Sequence, residues 1–408
     1  MCRRLTLVFW LACVAPATAQ SPVPSEGYIV FNQMFEAPPV PNSLQCTTAL
    51  RGPLLDLAFR FNIGYRVTCH LPDFQTTTAI RAFTRVTPHG AEPVLLWETY
   101  ALPQVPAEMQ GTDSLRRKKD LEFWLSGSFS VGEGDYRVEV LLADNMERRS
   151  FRRWDVHVAR KHKEETISPT IAPGTVSPTV AVHWDGKLSK TGLRLTILLD
   201  AATVNPNETR LYVWDRAVLL ESLASLLRQT PCKSVRLVAF SLDQQKEIFR
   251  QDKFDARAFS DLGDALRQLE LGTVSYKALQ KGASAALLLD LARKETALKE
   301  PSDAVIFIGP SSHFDEQIPK ASLATLEKGG MHFYYFEYFV GLQGDFPDAI
   351  DHLTRDLHGT VFKIHSAAEL GIAIQKMLTE VKPGEVEKKP DSLIPEPSGP
   401  FWRPFQQQ

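Results

Sequence analysis

The chain has 408 residues, 44% of them apolar and 23% charged. That balance is ordinary for a packed globular protein and too apolar for a disordered one. Its 46 basic and 48 acidic side chains leave a formal net charge of -2, which excludes the positive excess of a non-specific nucleic-acid binder. At roughly 100–200 residues per domain the length predicts two or three domains. No apolar run beyond the N-terminus approaches the roughly 18–20 residues that span a bilayer.

Residues 1–19 read as a secretory signal. Arg3 and Arg4 supply a positive start, Leu5 to Val14 an apolar stretch, and Ala17-Thr18-Ala19 a small-x-small cleavage site. The mature chain is expected to begin at Gln20 and to be secreted or periplasmic. A lipid anchor on Cys13 is the alternative, but Trp10 stands where a small aliphatic residue is expected. Cys2 and Cys13 leave with the signal, so Cys46, Cys69 and Cys232 remain. Secretion permits a disulfide, and an odd count leaves a thiol unpaired or shared between chains. Cys46 and Cys69 are the candidate pair, with a buried free thiol at Cys69 as the alternative.

Residues 20–43 are rich in Pro and Ser and read as a lead-in. From Leu57 to Cys69 apolar and polar residues alternate, the period of one long strand or two joined strands with a buried face. Further strands are predicted at Thr78–Val86, Val94–Tyr100 and Leu121–Phe129. A hairpin turns at Asp144-Asn145, between Tyr136–Leu142 and Trp154–Val158. Residues 44–159 show no helical period and predict an antiparallel β-sandwich of the immunoglobulin or fibronectin type. Residues 160–183, rich in Pro, predict a semi-stiff extended linker.

From 184 to 382 strands and helices alternate. Strands are expected at Leu193–Leu199, Ser234–Ser241, Ala304–Ile308, Met331–Tyr338 and Thr360–Ile364, with an antiparallel edge at Glu247–Gln251. Helices are expected at Val213–Leu227, Thr273–Lys294, Pro319–Lys328, Phe346–Leu357 and Ala367–Val381. This grammar predicts a parallel-dominated, Rossmann-like doubly wound α/β sheet covered on both faces. Residues 383–408 read as a disordered tail whose end, Phe401-Trp402-Arg403-Pro404-Phe405, carries the side chains of an interaction anchor: Phe401, Trp402, Arg403 and Phe405. Folding back onto the chain's own surface is the alternative for them.

Ligands of open α/β sheets bind beyond the carboxyl ends of the strands. There the chain offers Leu195-Thr196-Ile197-Leu198-Leu199-Asp200, then Gly272-Thr273-Val274-Ser275-Tyr276, then Ile306-Phe307-Ile308-Gly309-Pro310-Ser311-Ser312. Over residues 185–381 this order resembles the von Willebrand factor A domain, nearest the diverged A-domain-related proteins secreted by bacteria. The resemblance implies a metal-ion-dependent adhesion site built from Asp-x-Ser-x-Ser, a Thr and a later Asp around Mg²⁺. Asp200 matches the leading Asp and Thr273 the Thr. Ala202 and Val204 stand in place of the serines, and the later Asp falls at Gly309 or Pro310. Those side chains offer no oxygen to an ion that wants near-octahedral oxygen coordination. Thr203 is out of register, and Asp315, Ser311 and Ser312 reach the site only if their loop folds back. The resemblance thus implies a fold with a degenerate metal site, in which Asp200 and Thr273 cap helices or tie loops.

Gly282-Ala283-Ser284-Ala285-Ala286 lacks the second glycine of a nucleophile elbow and lies in a helical pattern. The ten histidines form no zinc motif. Cys232 has no activating neighbour in sequence. The basic clusters Arg116–Lys119 and Arg148–Arg153 read as solvated residues. The expected function is a non-catalytic secreted interaction or scaffold role with a protein partner, without cofactor, nucleic acid or membrane span. The alternatives are a metal-dependent adhesin with an altered Mg²⁺ or Mn²⁺ site at Asp200 and Thr273, and a hydrolase on an α/β scaffold.

Overall fold

The computed structural model describes residues 20–36, 44–74, 77–102, 122–146, 148–178, 182–205, 208–271, 280, 282–324, 326, 331–339 and 347–381. The expected signal, Thr273 and the aromatic tail lie outside them.

The N-terminal strands are β1 (Ser21–Pro22), β2 (Cys46–Leu55), β3 (Phe61–His70), β4 (Ala79–Pro88), β5 (Val94–Ala101), β6 (Glu122–Val131), β7 (Gly134–Asp144), β8 (Arg149–Val158) and β9 (Val176–Pro178). They form two sheets, β1-β5-β4-β7-β8 and β2-β3-β6-β9. Every pairing in them is antiparallel. Ile63, Tyr65, Val67 and Phe129 of one sheet share an apolar core with Ile80, Ala82, Val138 and Val140 of the other. These are alternate positions, because a strand turns every second side chain to one face. Cys46 and Cys69 stand opposite each other on β2 and β3 and are disulfide-bonded.

Three stretches depart from the sequence reading. The described part of the lead-in, residues 20–36, is structured: Ser21–Pro22 pairs with β5, and α1 (Tyr28–Glu36) lays Phe31 and Phe35 on Phe83, Leu95 and Leu141. The outer face of that sheet is thus buried too, which explains the adjacent apolar Leu141 and Leu142. Next, the alternation from Leu57 is not strand throughout. It crosses a turn at Asp56–Arg60, where Phe59 takes a φ of 59° and is fully buried in the core of the α/β unit. Finally, the described part of residues 160–183 is anchored at several points. Ile167 is buried against Gly371, Thr170 bonds Phe59, and β9 extends a sheet.

The second unit holds β10 (Leu193–Asp200), β11 (Cys232–Ser241), β12 (Lys246–Gln251), β13 (Ala304–Pro310), β14 (His332–Tyr338) and β15 (Thr360–Ile364) in one sheet, ordered β12-β11-β10-β13-β14-β15. Only β12 runs antiparallel to its neighbour. Helices α2 (Val213–Gln229), α3 (Ala256–Arg267) and α7 (Ala367–Glu380) cover one face. Helices α4 (Ala283–Thr296), α5 (Lys320–Leu323) and α6 (Ala349–Asp356) cover the other. The described part of the long helix expected from Thr273 begins at Ala283, and α5 is a single turn. Helix α3, capped by Asp255, was not anticipated.

The units meet around Arg60, which pairs with Asp56 at 2.9 Å and with Glu221 of α2 at 2.7 Å. The Ser225 hydroxyl donates to the Leu57 carbonyl at 2.6 Å. Burial, and then the charge of Asp56, push the Glu221 carboxyl up to about 7.

Candidate functional site

The strand order reverses between β10 and β13, the place where an open α/β sheet forms its ligand crevice. Asp200 closes β10 there, at the end of a continuous apolar run. In the register of the sheet, Phe240, Asp200, Gly309, Glu337 and Lys363 form one row across β11, β10, β13, β14 and β15. Alternation puts Asp200 on the same face as Leu198, and Glu337 on the same face as Tyr335, toward α4 and α6. Gly309 makes the row possible: a Cβ there would lie 2.8 Å from the Asp200 Cβ.

Both acids of this row are 0% exposed, and neither carboxylate has a hydrogen-bond partner of ordinary geometry. Burial first, then the charges of Asp243 and Asp348, hold the Asp200 carboxyl well above its usual range; the nearby Leu242 amide offsets this in part. Burial and the charge of Asp348 push Glu337 up to about 7, against the opposing pull of Ser311 and Lys363. An anion taken out of water without a partner is costly, so protonation is favoured instead.

The third acid is satisfied. Asp348 caps α6 through Asp351 N at 2.8 Å, and it accepts from Ser312 N at 2.8 Å and the Tyr335 hydroxyl at 3.0 Å. Asp351 is paired with Arg355. The following loop is also tied down: Glu316 accepts from the amides of Gly282, Ser284 and Ala285 at 2.8, 3.0 and 3.2 Å, closing the start of α4.

This arrangement does not fit the metal that the A-domain resemblance implies. Ala202, Val204 and Gly309 carry no ligating oxygen in their side chains, and Glu337 stands two strands away from Asp200 in the row. No group of three His, Cys, Asp or Glu side chains able to hold a metal occurs among the described residues. Ser284 accepts from Gln245 at 3.0 Å, and no imidazole bonds it among the described residues. The buried Cys232 thiol, pushed up to about 12 by burial, is no nucleophile at neutral pH.

No known family profile matches the sequence, and no curated protein matches it. Solved structures are similar in part. Proximal thread matrix protein 1 of the mussel byssus is 13% identical, with a TM-score of 0.31 over 47% of this chain and 48% of that one. The ArnB paralog VWA2 of Sulfolobus acidocaldarius is 12% identical, with a TM-score of 0.24 over 60% and 50%. A glycosyl hydrolase family 2 member of Bacteroides cellulosilyticus is 12% identical, with a TM-score of 0.20 over 78% and 38%. The chain spans half or less of each. Overlaps this loose carry no functional argument, which falls to the geometry.

Sequence reasoning found Asp200 and missed the second acid of the row. The signal for Glu337 was one acid inside the aromatic run Tyr334-Tyr335-Phe336-Glu337-Tyr338. It placed the start of α2 at Val213 but not the exposure there, where Tyr212, Val213 and Trp214 are exposed by 43%, 61% and 60%. Their helical spacing was noted, but exposure follows from which face α2 turns to the sheet.

Proposed function

We propose that this chain is a secreted, non-catalytic interaction or scaffold protein whose A-domain-like α/β unit works without a bound metal. The observation that carries the reading is Asp200: fully buried, without a hydrogen-bond partner of ordinary geometry, and flanked by positions that supply no second ligand. The order β12-β11-β10-β13-β14-β15 supports the doubly wound reading of this unit. The two antiparallel sheets around one core support an immunoglobulin- or fibronectin-like sandwich before it. The Cys46–Cys69 disulfide is in keeping with secretion. Among the described residues no helix is long and apolar enough to cross a membrane. The step from fold to binding is an analogy of architecture.

One observation favours the metal-dependent adhesin as a second reading: four unpartnered oxygens, on Asp200 and Glu337, are what a cation would attract. Electron paramagnetic resonance of Mn²⁺ separates the two. With equimolar full-length chain the free-ion signal is expected to match that in buffer. A loss of signal that Asp200→Ala restores would overturn the metal-free reading.

A further inference from the structure

We propose that Arg210, Tyr212, Val213 and Trp214 form a docking site for a protein segment that carries a carboxylate beside an apolar side chain. The inference deepens the interaction reading above and rests on it.

The described residues that lead into α2 are tied down from inside. Leu211 is buried, and the buried Asp215 carboxylate accepts from Val204 N at 2.9 Å and Tyr212 N at 2.8 Å. Those two bonds fix the first turn of α2 so that three successive apolar side chains face water. A lone exposed apolar residue needs no explanation, but a contiguous, rigidly displayed group marks a contact surface. The Arg210 guanidinium lies 4.9 Å over the Tyr212 ring. This cation–π contact uses none of the N–H donors of the guanidinium. Among the described residues no carboxylate pairs with it. Glu270 meets Arg210 only in a backbone bridge, and Glu208 accepts from the Asn205 amide.

A guanidinium resting over an aromatic ring keeps the donors for a two-pronged bond to a carboxylate. Trp, Tyr and Arg are also the side chains on which interface energy concentrates. The apolar part of the partner would cover Trp214 and Val213 as its acid meets Arg210. Arg210 lies between Glu208 and Glu270, and the Arg216 guanidinium is tied to the Leu211 carbonyl, so the turn makes no broad basic field and a nucleic acid or an anionic bilayer does not suit this surface.

The test is selection of a phage-displayed random peptide library on the full chain in EDTA. Peptides enriched in Asp or Glu next to aliphatic or aromatic residues are expected. Synthetic copies should lose about thirtyfold or more in affinity on Trp214→Ala and on Arg210→Glu, with Arg210→Lys intermediate. Trp214 is largely exposed, so unchanged melting of Trp214→Ala confirms that folding is not the cause. Peptides that bind without depending on Trp214, Trp214-dependent peptides that are basic, or no selected peptide at all would overturn the site. Repeating the selection in Mg²⁺ keeps the two readings apart. Acidic peptides that bind only with Mg²⁺ and are lost in Asp200→Ala would sink the metal-free reading and this site's Arg210 together; Mg²⁺-independent binders that ignore Trp214 would sink this site alone.

Discussion

Two buried glutamates, one in each unit, carry charge very differently. Glu139, on β7, is 1% exposed and Glu337, on β14, is 0% exposed. Glu139 meets Arg85 at 2.5 Å and Arg153 at 2.6 Å. Burial alone would raise its carboxyl, but the bonds and charges of the two arginines together outweigh burial and hold it below the ordinary range. Glu337 has no such partner and rises to about 7. Depth therefore does not set the charge of a buried acid; the partners that the neighbouring strands supply do. Unit does not set it either: Glu295 of α4 meets Arg236 and Arg250, whereas Glu98 of β5 keeps a buried oxygen without a partner. At the strand ends of the α/β unit Asp200 and Glu337 are left open, at the place where an open α/β sheet binds ligands.

The comparison can be broken most forcefully at the disulfide. Replacing Cys46 and Cys69 with alanine releases a loop with 23 residues of sequence separation and is expected to cost about 3 kcal/mol in urea unfolding. Cys232→Ala should leave the response to reductant unchanged. Glu139→Ala comes next. Removing one partner of a buried ion network strands the others, and about 2–3 kcal/mol is expected, toward the low side because Arg153 is half exposed and regains water. An effect below about 1 kcal/mol would mean that the network is not stabilising.

Glu337→Gln should act in the opposite sense. Its folded value of about 7 lies above the ordinary 4.5, so proton binding favours the folded state. That contribution is fully present below about pH 4.5 and is lost as pH rises through about 7. Glu337→Gln should flatten this part of the stability–pH profile and be more stable than the parent chain at pH 8, by on the order of 2 kcal/mol. A less stable variant at pH 8 would show that the ionised carboxylate has a partner. The smallest effect is expected at the surface: Trp214→Ser should change stability by no more than about 0.5 kcal/mol, as read by thermal melting.

Much of the fold was legible where local pattern and burial agree. The edges of β5 and β15 and the start of α2 fall at or beside the predicted residues, because an apolar run or a clean alternation needs no outside information. Phe59 was not legible. It continues the alternation of Leu57 and Phe61, yet its burial comes from a different unit, which period alone cannot reveal. Helix α1 was hidden for the same reason: Tyr28-Ile29-Val30-Phe31 has no clear period, and its order comes from Phe83, Leu95 and Leu141 beneath it. At the site, Asp200 announced itself by ending an apolar strand. The gap at Gly309 and the pairing of rows that sets Glu337 beyond it needed the register of the sheet.

The central claim, a strand-end site that keeps its acid and does without the metal, is tested most directly by melting the full chain in EDTA and then in excess Mg²⁺ or Mn²⁺. An ion at about 100 times its dissociation constant adds roughly 2.7 kcal/mol, enough to move the midpoint by several degrees. The same midpoint in all three conditions is the predicted result. A rise with either ion that disappears in Asp200→Ala would contradict it.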